Sequence, residues 1–173
     1  MRAPNYIQVL PDGAIAIELL YRRNILCCIL DAADYPLVKE YHWHARKSCG
    51  LTYAVTNAMA KGKRTLVHLH KIITGSDNMD HRDRDGLNNR RINLRLATHS
   101  QQMANRKKFK NGKTSKFKGV TKLKECGLFR ARLGFEGKRI YLGEFRKERD
   151  AAKAYDIAAK RYFGEFAVLN FPK

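Results

Sequence analysis

The stretch Asp80-His81-Arg82-Asp83-Arg84-Asp85-Gly86-Leu87-Asn88-Asn89-Arg90-Arg91-Ile92-Asn93-Leu94-Arg95-Leu96 decides how this chain is read. Met79-Asp80-His81 has the pattern of a strand end, and Asp85-Gly86 with Asn88-Asn89 marks a loop tolerant of unusual backbone angles. A carboxylate beside a histidine supplies a hard oxygen ligand for Mg²⁺ and a base that titrates near neutrality. Those are the parts needed to activate water against a phosphodiester. Arg82, Arg84, Arg90, Arg91 and Arg95 surround the pair, an arrangement suited to an approaching polyanion.

The whole chain has the same character. Lys and Arg number 35 against 16 Asp and Glu, a formal charge of +19 over 173 residues. That excess works against a compact fold unless a polyanion neutralises it. A membrane is excluded as that polyanion, because no apolar run reaches the roughly 18 residues of a spanning helix and no signal-peptide pattern is present. With 44% hydrophobic residues the chain can bury a core. Cys27, Cys28, Cys49 and Cys126 show no Cys-x-x-Cys spacing, and adjacent Cys27 and Cys28 point to opposite strand faces. Cys49 with His42 and His44 lacks a convincing zinc ligand set, so free thiols in a reducing compartment are expected.

Three regions separate by pattern. Residues 1 to about 75 alternate short apolar runs with turns. Ala14 to Leu20 and Ile25 to Leu30 predict a hairpin, Asp34 opens a short helical stretch, and Leu51 to Ala58 and Arg64 to Leu69 return to strand. Trp43 is read as a core anchor. From about 76 to 107 the pattern is strand, loop and then a helix opening at Thr98, where Thr98-His99-Ser100-Gln101 matches a capping box. Residues 108–116 form a basic linker containing Asn111-Gly112.

The third region runs over 117–173. Phe129, Ala131, Leu133 and Phe135 alternate with Arg130 and Arg132, and Ile140 and Leu142 alternate with Arg139 and Tyr141. Glu136-Gly137 turns between them, which predicts a hairpin with one apolar and one basic face. Glu148 to Phe163 predicts an amphipathic helix whose alanines allow close approach to a sheet, with Gly164 as its stop.

Two family resemblances rest on these residues. Residues 65–106, through Leu69-His70-Lys71, Asp80-His81, the run Gly86 to Thr98 and Asn105, resemble HNH homing-type endonucleases. Residues 117–172 resemble the APETALA-type (ethylene-response-factor) DNA-binding domain, through Phe117-Lys118-Gly119-Val120, Tyr141-Leu142-Gly143-Glu144-Phe145, the run Ala151 to Ala159 and Leu169-Asn170-Phe171-Pro172. Their order is that of phage and bacterial HNH endonucleases ending in such a module.

The resemblance implies an α+β chain. Residues 1–107 would form a mixed, β-rich nuclease domain with a ββα-metal core at 65–107, and 117–173 a three-stranded antiparallel sheet packed on one helix. His81 would be the general base, Asp80 a ligand of Mg²⁺ or another divalent cation such as Mn²⁺, and Asn93 the residue that holds the loop and positions the histidine ring. A second ligand is expected nine residues after Asn93, where the family carries asparagine or histidine and this chain has Gln102. Its extra methylene moves the oxygen by more than about an ångström, so Asn105 or water is the substitute ligand if Gln102 does not reach. His70 is an accessory candidate. Arg130, Arg132, Arg139, Tyr141, Lys118, Arg90 and Arg91 are the expected DNA contacts. The partner is double-stranded DNA, nicked by a monomer in the cytoplasm of a bacterial or phage-infected cell, with no membrane and no small-molecule cofactor. The competing reading is a DNA-binding regulator with a degenerate nuclease site.

Overall fold

The protein is described by a computed structural model over residues 5–48, 50–60, 62–108 and 114–172. Cys49 and residues 109–113 of the expected linker lie outside the described residues. Two compact units follow one another, Met1–Leu96 and Ala97–Lys173. The division falls after Leu96 rather than after residue 107, so the helix that opens at Thr98 is counted with the second unit.

In the first unit, β1 (Ile7–Val9), β2 (Ile15–Tyr21) and β3 (Asn24–Leu30) make an antiparallel sheet in the order β1-β2-β3. The expected hairpin is β2–β3, paired from Ile15↔Leu30 to Tyr21↔Asn24. Period-two alternation turns Ile15, Ile17, Leu19, Cys28 and Leu30 into the core while Cys27 and Leu20 face out. Burial and the short helix α1 (Tyr35–Val38) fix Trp43, whose indole N–H donates to the Val38 carbonyl at 2.9 Å. A second antiparallel meander, β4 (His44–Ser48), β5 (Leu51–Ala60) and β6 (Lys63–His68), lies in the order β4-β5-β6. Ala45 and Ala54, cross-strand partners, join the same core as the β2–β3 residues. Then α2 (Leu69–Thr74), stopped by Gly75 at φ 75°, contributes Leu69 and Ile73 to that core. The unit ends in a two-stranded sheet of β7 (Met79–His81) and β8 (Leu94–Leu96). The α+β character expected from the sequence is present, with helices beside several small sheets. All the strand pairs among the described residues are antiparallel, and the parallel contact is a bridge between Ile29 and the loop residue Asn88.

In the second unit, α3 (His99–Asn105) carries the expected capping box. Thr98 Oγ1 accepts from the Gln101 amide at 3.2 Å, and Gln101 Oε1 accepts from the Thr98 amide at 2.8 Å. The sheet of β9 (Val120–Lys122), β10 (Phe129–Phe135) and β11 (Lys138–Phe145) has the order β11-β10-β9. Its apolar face is closed by α4 (Glu148–Phe163), where Ala151, Ala152, Ala158 and Ala159 are all buried and let the helix approach. Asp156 on α4 binds the chain's final segment, accepting from the amides of Asn170 at 2.8 Å and Phe171 at 2.9 Å.

The end of α3 is held within this unit. Carbonyls of its last turn accept from the Lys118 ammonium, at Ala104 and, 2.6 Å away, at Arg106. The Ala104 carbonyl also accepts from the Val168 amide at 3.2 Å. Removing α3 therefore strips at least these three hydrogen bonds, worth roughly 1 kcal/mol each, along with the bond from the Glu136 amide to Ser100 Oγ. A fragment of residues 97–173 is expected to be more stable than one of 114–173 by about 2–3 kcal/mol in urea titration. Equal midpoints would show that α3 adds nothing to the unit.

Candidate active site

The register of β7 and β8 sets Asp80 opposite Arg95 and His81 opposite Leu94. Arg95 Nε and Nη2 both donate to Asp80 Oδ2, at 3.0 and 2.9 Å, and both side chains are about nine-tenths buried. The pair holds the carboxylate in one place. It also makes Asp80 structural, because removing one partner of a buried ion pair leaves the other charge uncompensated, at about 3–5 kcal/mol. Asp80→Ala is accordingly expected to lower stability by that order, whereas Asp80→Asn, which keeps an oxygen for Arg95, costs less. Thermal unfolding of the two variants checks this. Similar melting temperatures would mean that Arg95 relaxes to solvent.

The loop from Arg82 to Asn93 is tied by two side chains. Asn93 Oδ1 accepts from the Asp83 amide at 3.0 Å, and Asn93 Nδ2 donates to Asp83 Oδ1 at 2.9 Å and to the Asn88 carbonyl at 2.7 Å. Asp83 in turn accepts from the Asp85 amide at 2.8 Å and from Asn88 Nδ2 at 2.7 Å. Burial pushes the Asp83 carboxyl up, but the bonds from Asp85, Asn88 and Asn93 together outweigh it and hold the group below the usual carboxylate range. Asn93 is thus bonded to both ends of the loop, at Asp83 and at Asn88. The sequence did not single out Asp83, which is its hub.

The His81 ring is contacted differently from the expectation. Its Nε2 lies 3.3 Å from Asn89 Oδ1, and Asn93 bonds to loop backbone and Asp83. Asn89, read from the sequence as a turn former, is 1% exposed. Its amide orientation follows from Nδ2, which donates to the Gly86 carbonyl at 3.4 Å and approaches Cys28 Sγ at 3.2 Å. With Nδ2 so engaged, Oδ1 faces the histidine, and in the tautomer that donates to it from Nε2 the lone pair lies on Nδ1. The segment bearing Asn89 is pinned to β3, because the Ile29 amide donates to the Leu87 carbonyl at 2.8 Å and the Asn89 amide to the Ile29 carbonyl at 2.7 Å.

Around His81 the rings cluster. His68 and His70 stack at 5.0 Å, His70 meets His81 edge-on at 5.4 Å, and the Tyr53 ring stands 5.8 Å from His81. Burial lowers the His81 pKa, and its Asn89 bond and nearby aspartates pull back without overcoming that, so the ring is neutral at pH 7. His68 is lowered for the same first reason. His70 is pushed down to about 3 by burial and by the positive charge that His81 and His68 would carry. His70 belongs to this ring cluster and is 6% exposed. Among the described residues, no group of three or more His, Cys, Asp or Glu is placed to hold a metal ion.

The sign of the His70 effect on stability follows directly. The folded ring stays neutral down to about pH 3 while the unfolded one takes a proton near 6.5. Stability from this group is therefore complete above pH 6.5 and lost as pH falls toward 3, with a slope approaching about 1.4 kcal/mol per pH unit. His70→Gln should flatten the acid limb of stability between those values. An unchanged limb in urea titrations at several pH values would acquit His70.

Of the other expected site residues, Gln102 and Asn105 lie on α3 in the second unit, Gln102 half-buried and Asn105 buried. Arg90 and Arg91 are occupied by internal carboxylates. Arg90 Nη2 meets Asp12 at 2.7 Å, and Arg91 grips Asp34 with Nε at 3.0 Å and Nη2 at 2.7 Å. With Arg95 on Asp80, three of the five loop arginines neutralise the protein itself, a role that sequence alone could not distinguish from phosphate binding. Lys118 likewise caps α3. On the outer face of the second sheet, Arg130 pairs with Glu144 at 2.7 Å, whereas Arg132, Arg139 and Tyr141 are exposed, with Arg132 and Tyr141 cross-strand neighbours.

No protein-family model matches the chain. It is 32% identical over 168 residues to an uncharacterized HNH endonuclease of Acanthamoeba polyphaga mimivirus, covering 92% of this chain and 82% of the relative. A shorter similarity, 55% identity over 60 residues, is to APETALA2-like protein 2 of Oryza sativa, and covers 34% of this chain. An AP2-like ethylene-responsive transcription factor of Arabidopsis thaliana is 39% identical over 70 residues, 35% of this chain. The chain spans only 14% of the length of each of these two plant proteins.

Proposed function

The chain belongs to the HNH endonuclease family, and from that premise we propose that it is a metal-dependent DNA endonuclease that nicks one strand per engagement. The observation that supports the reading is His81, its pKa lowered by burial and its Nε2 beside Asn89 Oδ1, next to a loop tied by Asn93 and Asp83. His81 Nδ1 would take the proton from the attacking water. Asp80, held by Arg95, would be the carboxylate ligand of Mg²⁺. A hard cation of this kind is commonly bound through one or two carboxylates, with waters and phosphate oxygens completing its shell, so one buried carboxylate suits it. When bound, the ion would offset charge on the scissile phosphate and the leaving oxygen. Gln102 or Asn105 remains the proposed second protein ligand.

Similarity to the plant DNA-binding proteins supports the second unit as the reading module. Arg132, Arg139 and Tyr141 on its exposed face are the proposed base or backbone contacts, because arginine can bond guanine edges bidentately in the major groove. Supercoiled plasmid incubated with the protein and Mg²⁺ should give open circles first, and none in EDTA. Linear product from the outset would replace nicking by paired cutting. The second reading, a DNA-binding regulator, is favoured by one observation, the Asp80 carboxylate already neutralised by Arg95. Tight binding without new DNA ends in Mg²⁺ or Mn²⁺ would decide for it.

A further inference from the structure

From Tyr41 to Ser76 the chain contains no Asp or Glu, yet it carries Arg46, Lys47, Lys61, Lys63, Arg64 and Lys71. This acid-free stretch is largely the β4–β5–β6 meander. The contrast with the loop is chemical, since Arg90, Arg91 and Arg95 meet Asp12, Asp34 and Asp80 whereas the meander contains no carboxylate.

Strand register sorts its cations by face. Tyr53, Val55, Asn57 and Met59 alternate to one side of β5. Pairing puts Arg46 beside Tyr53, His68 beside Val55 and Arg64 beside Met59 on that side. Lys47 and Lys63, one residue along from each arginine, belong to the opposite face, the one on which Ala45 and Ala54 enter the core. The Tyr53 and His68 rings join the cluster around His81, so the arginine face begins at the candidate site. Arg46 is close enough for its charge to lower the His68 pKa. From Tyr53 to Met59 the strand advances about 20 Å, over half a turn of duplex. Arg46, Asn57, Met59 and Arg64 are exposed, with Met59 71% exposed.

We infer that this arginine-bearing face of the β5–β6 ribbon seats duplex DNA against the site, with Arg46 and Arg64 on phosphates and Asn57 and Met59 turned toward a groove. The inference rests on the endonuclease reading for the choice of DNA. A two-stranded ribbon fits the major groove, and the unanswered positive charge complements the phosphate backbone.

The test uses the full chain and a random-sequence duplex in EDTA, so that binding is read without cleavage. Affinity is measured over a salt series for wild type, an Arg46→Gln/Arg64→Gln variant and a Lys47→Gln/Lys63→Gln variant, all checked for folding by thermal melting. Both variants lose two charges, but only the first should bind several-fold more weakly at 100 mM salt and flatten the log–log salt slope by about two. Equal changes in both variants, or none in the arginine variant, would overturn the surface. Failure of the nuclease reading looks different, since wild type would then bind without cutting in Mg²⁺ whatever the salt slopes show.

Discussion

His81→Ala is expected to slow single-turnover cleavage by roughly 10²–10⁴-fold while leaving DNA affinity nearly unchanged. The first part follows from the role of Nδ1, since loss of a general base removes the acceptor for the water's proton. The second follows from the distribution of positive charge, because affinity is spread over many cationic side chains and His81 is neutral and 3% exposed. Rapid-quench cleavage and a gel-shift titration on the same duplex measure the two effects separately. Wild-type rates in the variant would remove His81 from the chemistry. An equal loss of rate and affinity would make it a structural residue.

A large effect on stability is also expected at Gly119. Its φ of 75° is a left-handed conformation, and a Cβ there would fall well inside contact distance of the Tyr155 ring on α4. Gly119→Ala should cost about 1–2 kcal/mol for the backbone and about 1–3 kcal/mol for overpacking against a buried ring. A sum of about 2–5 kcal/mol is a large part of the 5–15 kcal/mol typical of a whole domain. Tyr155→Leu together with Gly119→Ala makes room and should recover part of the loss, which separates steric crowding from backbone strain. If the single variant melts as the wild type does, α4 can shift freely and the packing described here is too tight.

Much of the fold was legible because its signals are local. Short apolar runs between turns marked β2 and β3, period-two alternation marked β10 and β11, the capping box marked Thr98, and the alanines of α4 marked a helix against a sheet. Strand β4 was not foreseen. His44-Ala45-Arg46-Lys47-Ser48 reads as a polar segment and becomes a strand through its ladder with β5. At the site, Asp80, His81 and Asn93 stood out by residue type and spacing. Asn89 did not, since its role depends on Gly86, Cys28 and His81 arriving around it from three places in the chain. The internal pairing of the arginines was hidden for the same reason. A sequence shows that Arg90 and Arg91 are charged, and only the fold shows that Asp12 and Asp34 stand ready for them.

The anchoring of α3 bears on how such chains exchange their parts. A graft that keeps residues 1–108 and attaches a foreign DNA reader would carry α3 away from Lys118, Val168 and the buried cluster that Ala104 joins. The stub would then expose the apolar Ala104 face and leave its last carbonyls to water in place of Lys118 and Val168. A junction at Leu96/Ala97 hands α3 over with its own partners intact. If lineages have traded reading modules by recombination, breakpoints just before this helix should have survived more often than breakpoints in the basic segment after it.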